Sequence, residues 1–243
     1  MHRLQRLLDW LYPPVCIACN MIIPIHRLAD RELGICRHCT PLLAPIDQPV
    51  CTKCGGIVEA DHNTKACPGC FGKDFAFLHN QSTYLYDALM RDMMHNLKYR
   101  ADKNIAHSLG KLWAAAGHLQ LDNPKPDYVT YLPMHRKKQK ARGFNQAEIL
   151  ARYIASHHNI PLQHTTIRTR NTPPQYGLHP HQRIENVRGA FAIPKNIHPK
   201  GKSYIIIDDI YTTGASLNEC ARILKKAGAT HVTTATLCTV PKK

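Results

Sequence analysis

No apolar run in the 243 residues approaches the roughly 18 that a membrane-crossing helix needs, so a helical membrane protein is not expected. The first 14 residues also lack the features of a secretory leader. Arg3, Gln5, Arg6 and Asp9 interrupt any apolar core, and no small-residue cleavage site follows. Leu4, Leu7, Leu8 and Leu11 fall instead at helical spacing, which predicts a short amphipathic helix ended by Pro13 and Pro14. With no leader the expected address is the cytoplasm. That compartment is reducing, so cysteines there are metal ligands more often than disulfides. Acid is the other scarcity. Only 17 Asp and Glu stand against 32 Lys and Arg, for a formal charge of +15. That balance favours polyanionic partners, such as nucleic acid or a multiply phosphorylated sugar.

Eight of the ten cysteines are crowded between residues 16 and 70. They form four pairs with two residues inside each: Cys16/Cys19, Cys36/Cys39, Cys51/Cys54 and Cys67/Cys70. The spacing lets two sulfurs on one tight turn reach the same ion at about 2.3 Å, and four pairs make two tetrahedral zinc sites. The simplest assignment is sequential, although spacing alone leaves interleaved pairing open. With all four ligands supplied by protein, each zinc is expected to be structural. Eight thiolates on two zinc ions lower the net charge to about +11, still basic. Cys220 and Cys238 lie in helical and strand patterns and read as buried small hydrophobes.

The chain divides into this cysteine module, residues 1–75, and a second domain, residues 80–243. In the second part, helices are expected over 82–99 with Ser82 as a cap, 103–119, 145–158 and 216–227, the last ended by Gly228. Strands are expected over 128–132, weakly over 162–168, strongly over 204–207, and over 231–239. The alternation predicts an α/β fold with a mostly parallel sheet covered by helices.

One segment carries distinct chemistry: Tyr204-Ile-Ile-Ile-Asp-Asp-Ile-Tyr-Thr-Thr-Gly-Ala-Ser216. A buried strand delivers Asp208 and Asp209 to its carboxyl end, where ligands bind in open α/β sheets. The two carboxylates suit sugar hydroxyls, directly or through a hydrated metal. Thr212, Thr213, Gly214, Ala215 and Ser216 then wrap a helix N-terminus, whose N–H groups and dipole favour an anion. Gly214 admits a phosphate close to the backbone.

The segment resembles the phosphoribosyl-diphosphate signature of type I phosphoribosyltransferases, with Ser216 where Thr is commoner. That resemblance implies that the acidic pair holds ribose hydroxyls, that the loop holds the 5-phosphate, and that Mg2+ accompanies the ligand. Three further blocks join it: Arg142-Gly-Phe-Asn-Gln146, Arg168-Thr-Arg-Asn-Thr-Pro-Pro-Gln175 and Arg183-Ile-Glu-Asn-Val-Arg-Gly-Ala-Phe191. With Asn96-Leu-Lys-Tyr99 and the four cysteine pairs, the chain resembles the ComF family of bacteria, which includes ComFC and GntX-type proteins. The resemblance implies a double zinc ribbon, a phosphoribosyltransferase-type domain and a role in DNA uptake. Its expected partners are single-stranded DNA, a ComFA-type helicase and other competence proteins.

Diphosphate loss needs cations. The turn Pro133–Arg136, with His135 and Arg136, is the expected diphosphate loop, and Lys137, Lys138, Lys140 and Arg142 follow as a mobile lid. Arg142 is the leading diphosphate contact, with Lys98 and Arg168 behind it. The same basic run can instead track a DNA backbone, flanked by Tyr131 and Phe144, of which Phe144 reads as core. Three functions therefore compete: a phosphoribosyl transferase, a single-strand-binding module with a regulatory or vestigial phosphosugar site, and a scaffold. Acceptor selection falls to a variable hood, residues 80–120, where no motif names a ligand.

Overall fold

A computed structural model describes residues 12–58, 66–122, 124–173, 177 and 179–241. The helix expected over residues 4–11 lies outside the described residues. Four parallel strands form the central sheet: β1 (Asn80–Leu85), β2 (Tyr128–Tyr131), β5 (Ser203–Tyr211) and β6 (His231–Thr239). Their spatial order is β1-β6-β5-β2. Two short strands, β3 (Ile167–Arg168) and β4 (Phe191–Ala192), pair antiparallel apart from it. The helices are α1 (Leu28–Leu33), α2 (Ala88–Tyr99), α3 (Lys103–Ala115), α4 (Arg136–Arg142), α5 (Gln146–His157), α6 (Pro180–Val187) and α7 (Ala215–Lys226).

β5 is central because it is apolar on both faces, as a strand buried between two helical layers must be. Ile205 and Ile207 enter a core built with α2, α3 and α5. Tyr204 and Ile206 enter the opposite core, built with α7 and the second cysteine tetrad. The α5 and α7 layers thus lie on opposite faces, and their connections part at the carboxyl end of β5. That is the position where an open α/β sheet leaves a crevice. α7 ends as its sequence predicts. Gly228 takes φ +93° and the Ala229 N–H returns to the Leu224 carbonyl at 3.1 Å, closing the last turn.

The cysteine module is welded to the sheet. The Asn80 amide donates to the Cys54 carbonyl at 3.0 Å, and the Asn80 N–H to the Lys53 carbonyl at 2.9 Å. Gly55, at φ +66°, lies so close that a Cβ there would sit 2.7 Å from the Asn80 carbonyl. The Ala76 N–H reaches the Asn218 side chain on α7 at 2.6 Å.

Several expectations need correction. Residues 80–85 are strand, not the start of a helix, and Asp87 rather than Ser82 caps α2, accepting from the Met90 N–H at 2.8 Å. Ser82 instead bonds Thr236 of β6 across 2.7 Å, so strand pairing has claimed its hydroxyl. α3 stops at Ala115, four residues short of the expected end. The stretch 162–168 yields only an isolated bridge from Leu162 to Val129 and the two residues of β3. The basic run expected as a lid loop is a helix, α4, held by the His135 ring accepting from the Lys137 N–H at 3.3 Å and by Gly143 at φ +85°.

Candidate functional site

The structure assembles the cysteines sequentially. Cys16, Cys19, Cys36 and Cys39 form one tetrad, and Cys51, Cys54, Cys67 and Cys70 the other, with sulfurs within 4.8 Å of one another. The Cys19–Cys36 and Cys54–Cys67 sulfur separations are 3.8 and 3.7 Å. A tetrahedron of zinc–sulfur bonds of about 2.3 Å has edges of about 3.8 Å, so the donor set fits zinc in size and softness. Backbone N–H groups support the sulfurs: Cys36 donates to Cys16 at 3.4 Å, and Cys67 donates to Cys51 at 3.2 Å. Burial would raise the Cys51 thiol, yet N–H groups of Cys67, Cys54 and Lys53 outweigh it and hold the thiol down to about 7. Cys220 and Cys238 are fully buried, away from both tetrads.

The turn expected to hold a phosphate begins where β5 ends. Thr212 to Gly214 turn the chain into α7, with Gly214 at φ +73° as its cap. Thr213 accepts the Ala215 N–H at 3.4 Å, while Thr212, Gly214, Ala215 and Ser216 line a small cavity of about 40 Å³ beside Asp208. Behind the loop, the Tyr211 hydroxyl stands where a Gly214 side chain would project. Tyr211 is buried in the same cluster as the second tetrad. Burial first, and then the four nearby sulfurs, push its phenol far above the usual range.

The acidic pair is asymmetric. Lys98, on the third turn of α2, places Nζ 2.9 Å from Asp209 Oδ2. Gln146, at the start of α5, donates to the same oxygen at 3.0 Å, and Arg142 in turn donates to Gln146 at 2.7 Å. Burial would raise Asp209, but Lys98 and these bonds outweigh it and hold the carboxyl below its usual range. Asp208 goes the other way. Burial and the neighbouring Asp209 charge push it well above the ordinary carboxylate range, against the Asp209 N–H it accepts at 2.9 Å. Lys98 itself is raised, because the attraction of Asp209 exceeds the effect of burial.

A cleft of about 460 Å³ opens over this pair, with Lys98, Lys138, Arg168 and Arg183 among its walls. His135 and Arg136 face elsewhere. They line a larger cavity of about 680 Å³ at the β2 edge of the sheet, and Arg168 walls both spaces. Arg142 bonds to the acidic pair through Gln146, and its charge also helps to lower Asp209. Phe144 and Tyr131 are buried in the core rather than offered as platforms. Sequence reasoning assigned no role to Gln146 or Arg183, although each stands in a block that carried the ComF resemblance. Lys138 was grouped with the lid, yet its Nζ turns inward to the Thr172 carbonyl at 2.8 Å.

Residues 7–71 match the double zinc ribbon domain family, and residues 140–243 match the phosphoribosyl transferase domain family. The chain is therefore a double zinc ribbon joined to an α/β domain of phosphoribosyltransferase type, with structural zinc in the ribbon. It is 27% identical over 234 residues to the DNA utilization protein YhgH of Escherichia coli K12, covering 93% of this chain and 97% of that one. Competence protein F of Haemophilus influenzae is 25% identical over 227 residues, with 89% and 93% covered. Competence protein ComFC of Bacillus subtilis is 26% identical over 214 residues, with 86% of each covered. Over most of its length the chain is similar to these DNA utilization and competence proteins. Among the described residues no helix is long and apolar enough to cross a membrane.

Proposed function

We propose that the cleft binds phosphoribosyl diphosphate together with Mg2+, and that the protein acts in DNA uptake in the cytoplasm. The observation that carries this reading is the placement of Asp208 and Asp209 beside the phosphate loop, beneath a basic wall of Lys98, Lys138, Arg168 and Arg183. The carboxylates are hard oxygen donors suited to Mg2+, which when bound supplies charge neutralisation for the diphosphate. The remaining tasks fall to the chain. Asp208 and Asp209 orient the ribose hydroxyls, the loop N–H groups hold the 5-phosphate, and Lys138 and Arg168 face the leaving diphosphate. In the transfer the C1–oxygen bond breaks, diphosphate leaves with the electron pair, and an acceptor nitrogen bonds C1 and sheds a proton. Calorimetric titration with phosphoribosyl diphosphate, with and without Mg2+, tests the reading. Metal-dependent binding by the wild type, lost in the D208N/D209N variant, supports it; no binding by the wild type refutes it.

A second reading has its own support. Arg136, Lys137 and Lys140 on α4 are exposed, so the helix presents a basic ridge to solvent. On this reading the protein binds single-stranded DNA, hands it between a ComFA-type helicase and other competence proteins, and uses the phosphosugar site for regulation. Reversing Lys137 and Lys140 to Glu should flatten the salt dependence of single-strand affinity, with the slope falling by about 1.4 for two lost phosphate contacts. An unchanged slope removes α4 as the DNA contact.

A further inference from the structure

The larger cavity is not used by the reading above. It lies at the β2 edge, between the Pro133–Arg136 turn and the segment leading into β3, and its volume of about 680 Å³ is ample for a small ligand. Its chemistry is specific. The imidazole of His164 stacks on the Tyr131 ring, with centroids 5.2 Å apart and planes 13° from parallel. Tyr131 is buried in the core that includes the α5 side chains, near Glu148, whose carboxylate pairs with Arg152 at 2.6 Å. His164, by contrast, is exposed and lines the cavity. The protein therefore holds one aromatic ring rigidly beneath a second that faces solvent. That is a preorganised stacking plate at little entropic cost.

Cations flank the plate. Arg136 is exposed on the same wall. Arg168 is fixed more tightly: its guanidinium lies over the Phe191 ring, 5.4 Å from the centroid, and donates to Thr172 at 2.5 Å. Its Nε is buried and has no hydrogen-bond partner among the described residues. A planar surface bounded by two guanidinium groups matches a base attached to a phosphate. We propose that this cavity binds one nucleotide, with the base on His164 and the phosphate between Arg136 and Arg168. It would then hold its nucleotide beside the phosphoribosyl cleft, sharing the Arg168 wall. The nucleotide can be free or the 5′-phosphorylated end of a single strand, and both offer the same groups. The inference rests on the proposed function only for the meaning of that adjacency, not for the binding itself.

The probes are thymidine 5′-monophosphate and a labelled oligothymidylate, with and without a 5′-phosphate, read by fluorescence anisotropy and competition on the full zinc-loaded chain. Stacking of one base is worth about 1–3 kcal/mol, so His164→Ala should weaken binding roughly 5- to 150-fold. His164→Phe, which keeps a plate, should stay within a few-fold of wild type. Because His164 is exposed, both variants should keep their zinc and their titration with phosphoribosyl diphosphate. Competition by the mononucleotide identifies a free-nucleotide site. Preference for the 5′-phosphorylated strand without such competition identifies a strand-end site. The proposal is overturned if His164→Ala binds both probes like wild type, if His164→Phe loses as much as His164→Ala, or if the wild type binds neither probe. His164-dependent binding that persists in D208N/D209N, beside a wild type that ignores phosphoribosyl diphosphate, would refute the phosphoribosyl reading alone.

Discussion

Lys98→Met tests the electrostatic design of the acidic pair. The Lys98 Nζ to Asp209 Oδ2 distance of 2.9 Å corresponds to about 6 kcal/mol of attraction at an effective dielectric constant of about 20. Desolvation of both groups offsets much of that, so the net value of the pair is smaller. What the substitution exposes is the other half of the ledger. Asp209 is only 7% exposed at its side chain, and it already faces Asp208. Stripped of its cation, it is a buried charge beside a second carboxyl. Breaking a buried pair from one side costs about 3–5 kcal/mol, and the 26% exposure of the Lys98 side chain puts this case near about 3. For a domain of this size that lowers the melting temperature by about 6–12 °C. The pH dependence follows from the shifts. In the wild type the Asp209 carboxyl is depressed, so its contribution is complete at neutral pH and is lost as pH falls through the depressed value. In the variant, burial raises it against only the Gln146 hydrogen bond and the Arg142 charge, so the penalty is largest near neutral pH and fades as pH drops into the carboxylate range. Scanning calorimetry at pH 7.5 and at pH 4.5 reads both effects. The double variant K98M/D209N should recover most of the loss, since it removes both charges. A single variant within about 0.5 kcal/mol of wild type at neutral pH would refute the reasoning.

Gly214→Ala should impair the phosphate loop without dissolving the fold. The position combines φ +73° with the Tyr211 hydroxyl in the path of any Cβ, so a cost of about 1–3 kcal/mol and at least a tenfold loss of phosphoribosyl diphosphate affinity are expected by calorimetry. Purified protein should carry two zinc ions per chain by elemental analysis. Cys54→Ser should lose one of them and keep the other, because the tetrads share no sulfur.

The strand–turn–helix of the proposed phosphate site was legible because its residues are contiguous: a buried strand, two acids, a small-residue turn and a helix start all lie within thirteen positions. The zinc sites were legible because each cysteine pair is a local knuckle. What escaped depends on distant partners. β1 carries Asn80, Gln81 and Ser82, which locally suit a helix start. Its identity comes from β6, where Thr234 and Thr236 meet Asn80 and Ser82. α4 shows no apolar periodicity, since it consists almost wholly of cations, and only its two caps mark it as helical. The division of the cations between two cavities was equally hidden. His135, Arg136 and Lys138 lie within four positions, yet a helical turn sends Lys138 to the cleft and leaves the other two on the far side of Arg168. Lys98 stood in a block noted for its resemblance, but nothing local ties it to Asp209. The ion pair exists because the fold brings the last turn of α2 within reach of the end of β5.

Tyr211 gives the zinc ribbon a consequence for ligand binding. The residue belongs to the cluster that encloses the second tetrad, and its hydroxyl backs Gly214 of the turn before α7. On the proposed reading, in which this loop holds a phosphate, metal occupancy and phosphate affinity are coupled through the Tyr211 ring. Reciprocity requires that whatever factor zinc adds to anion affinity, a bound phosphosugar returns to zinc retention. On the same reading, a chain still short of its second metal would bind phosphosugar poorly, and the ribbon would act as a gate on maturation as well as a structural prop.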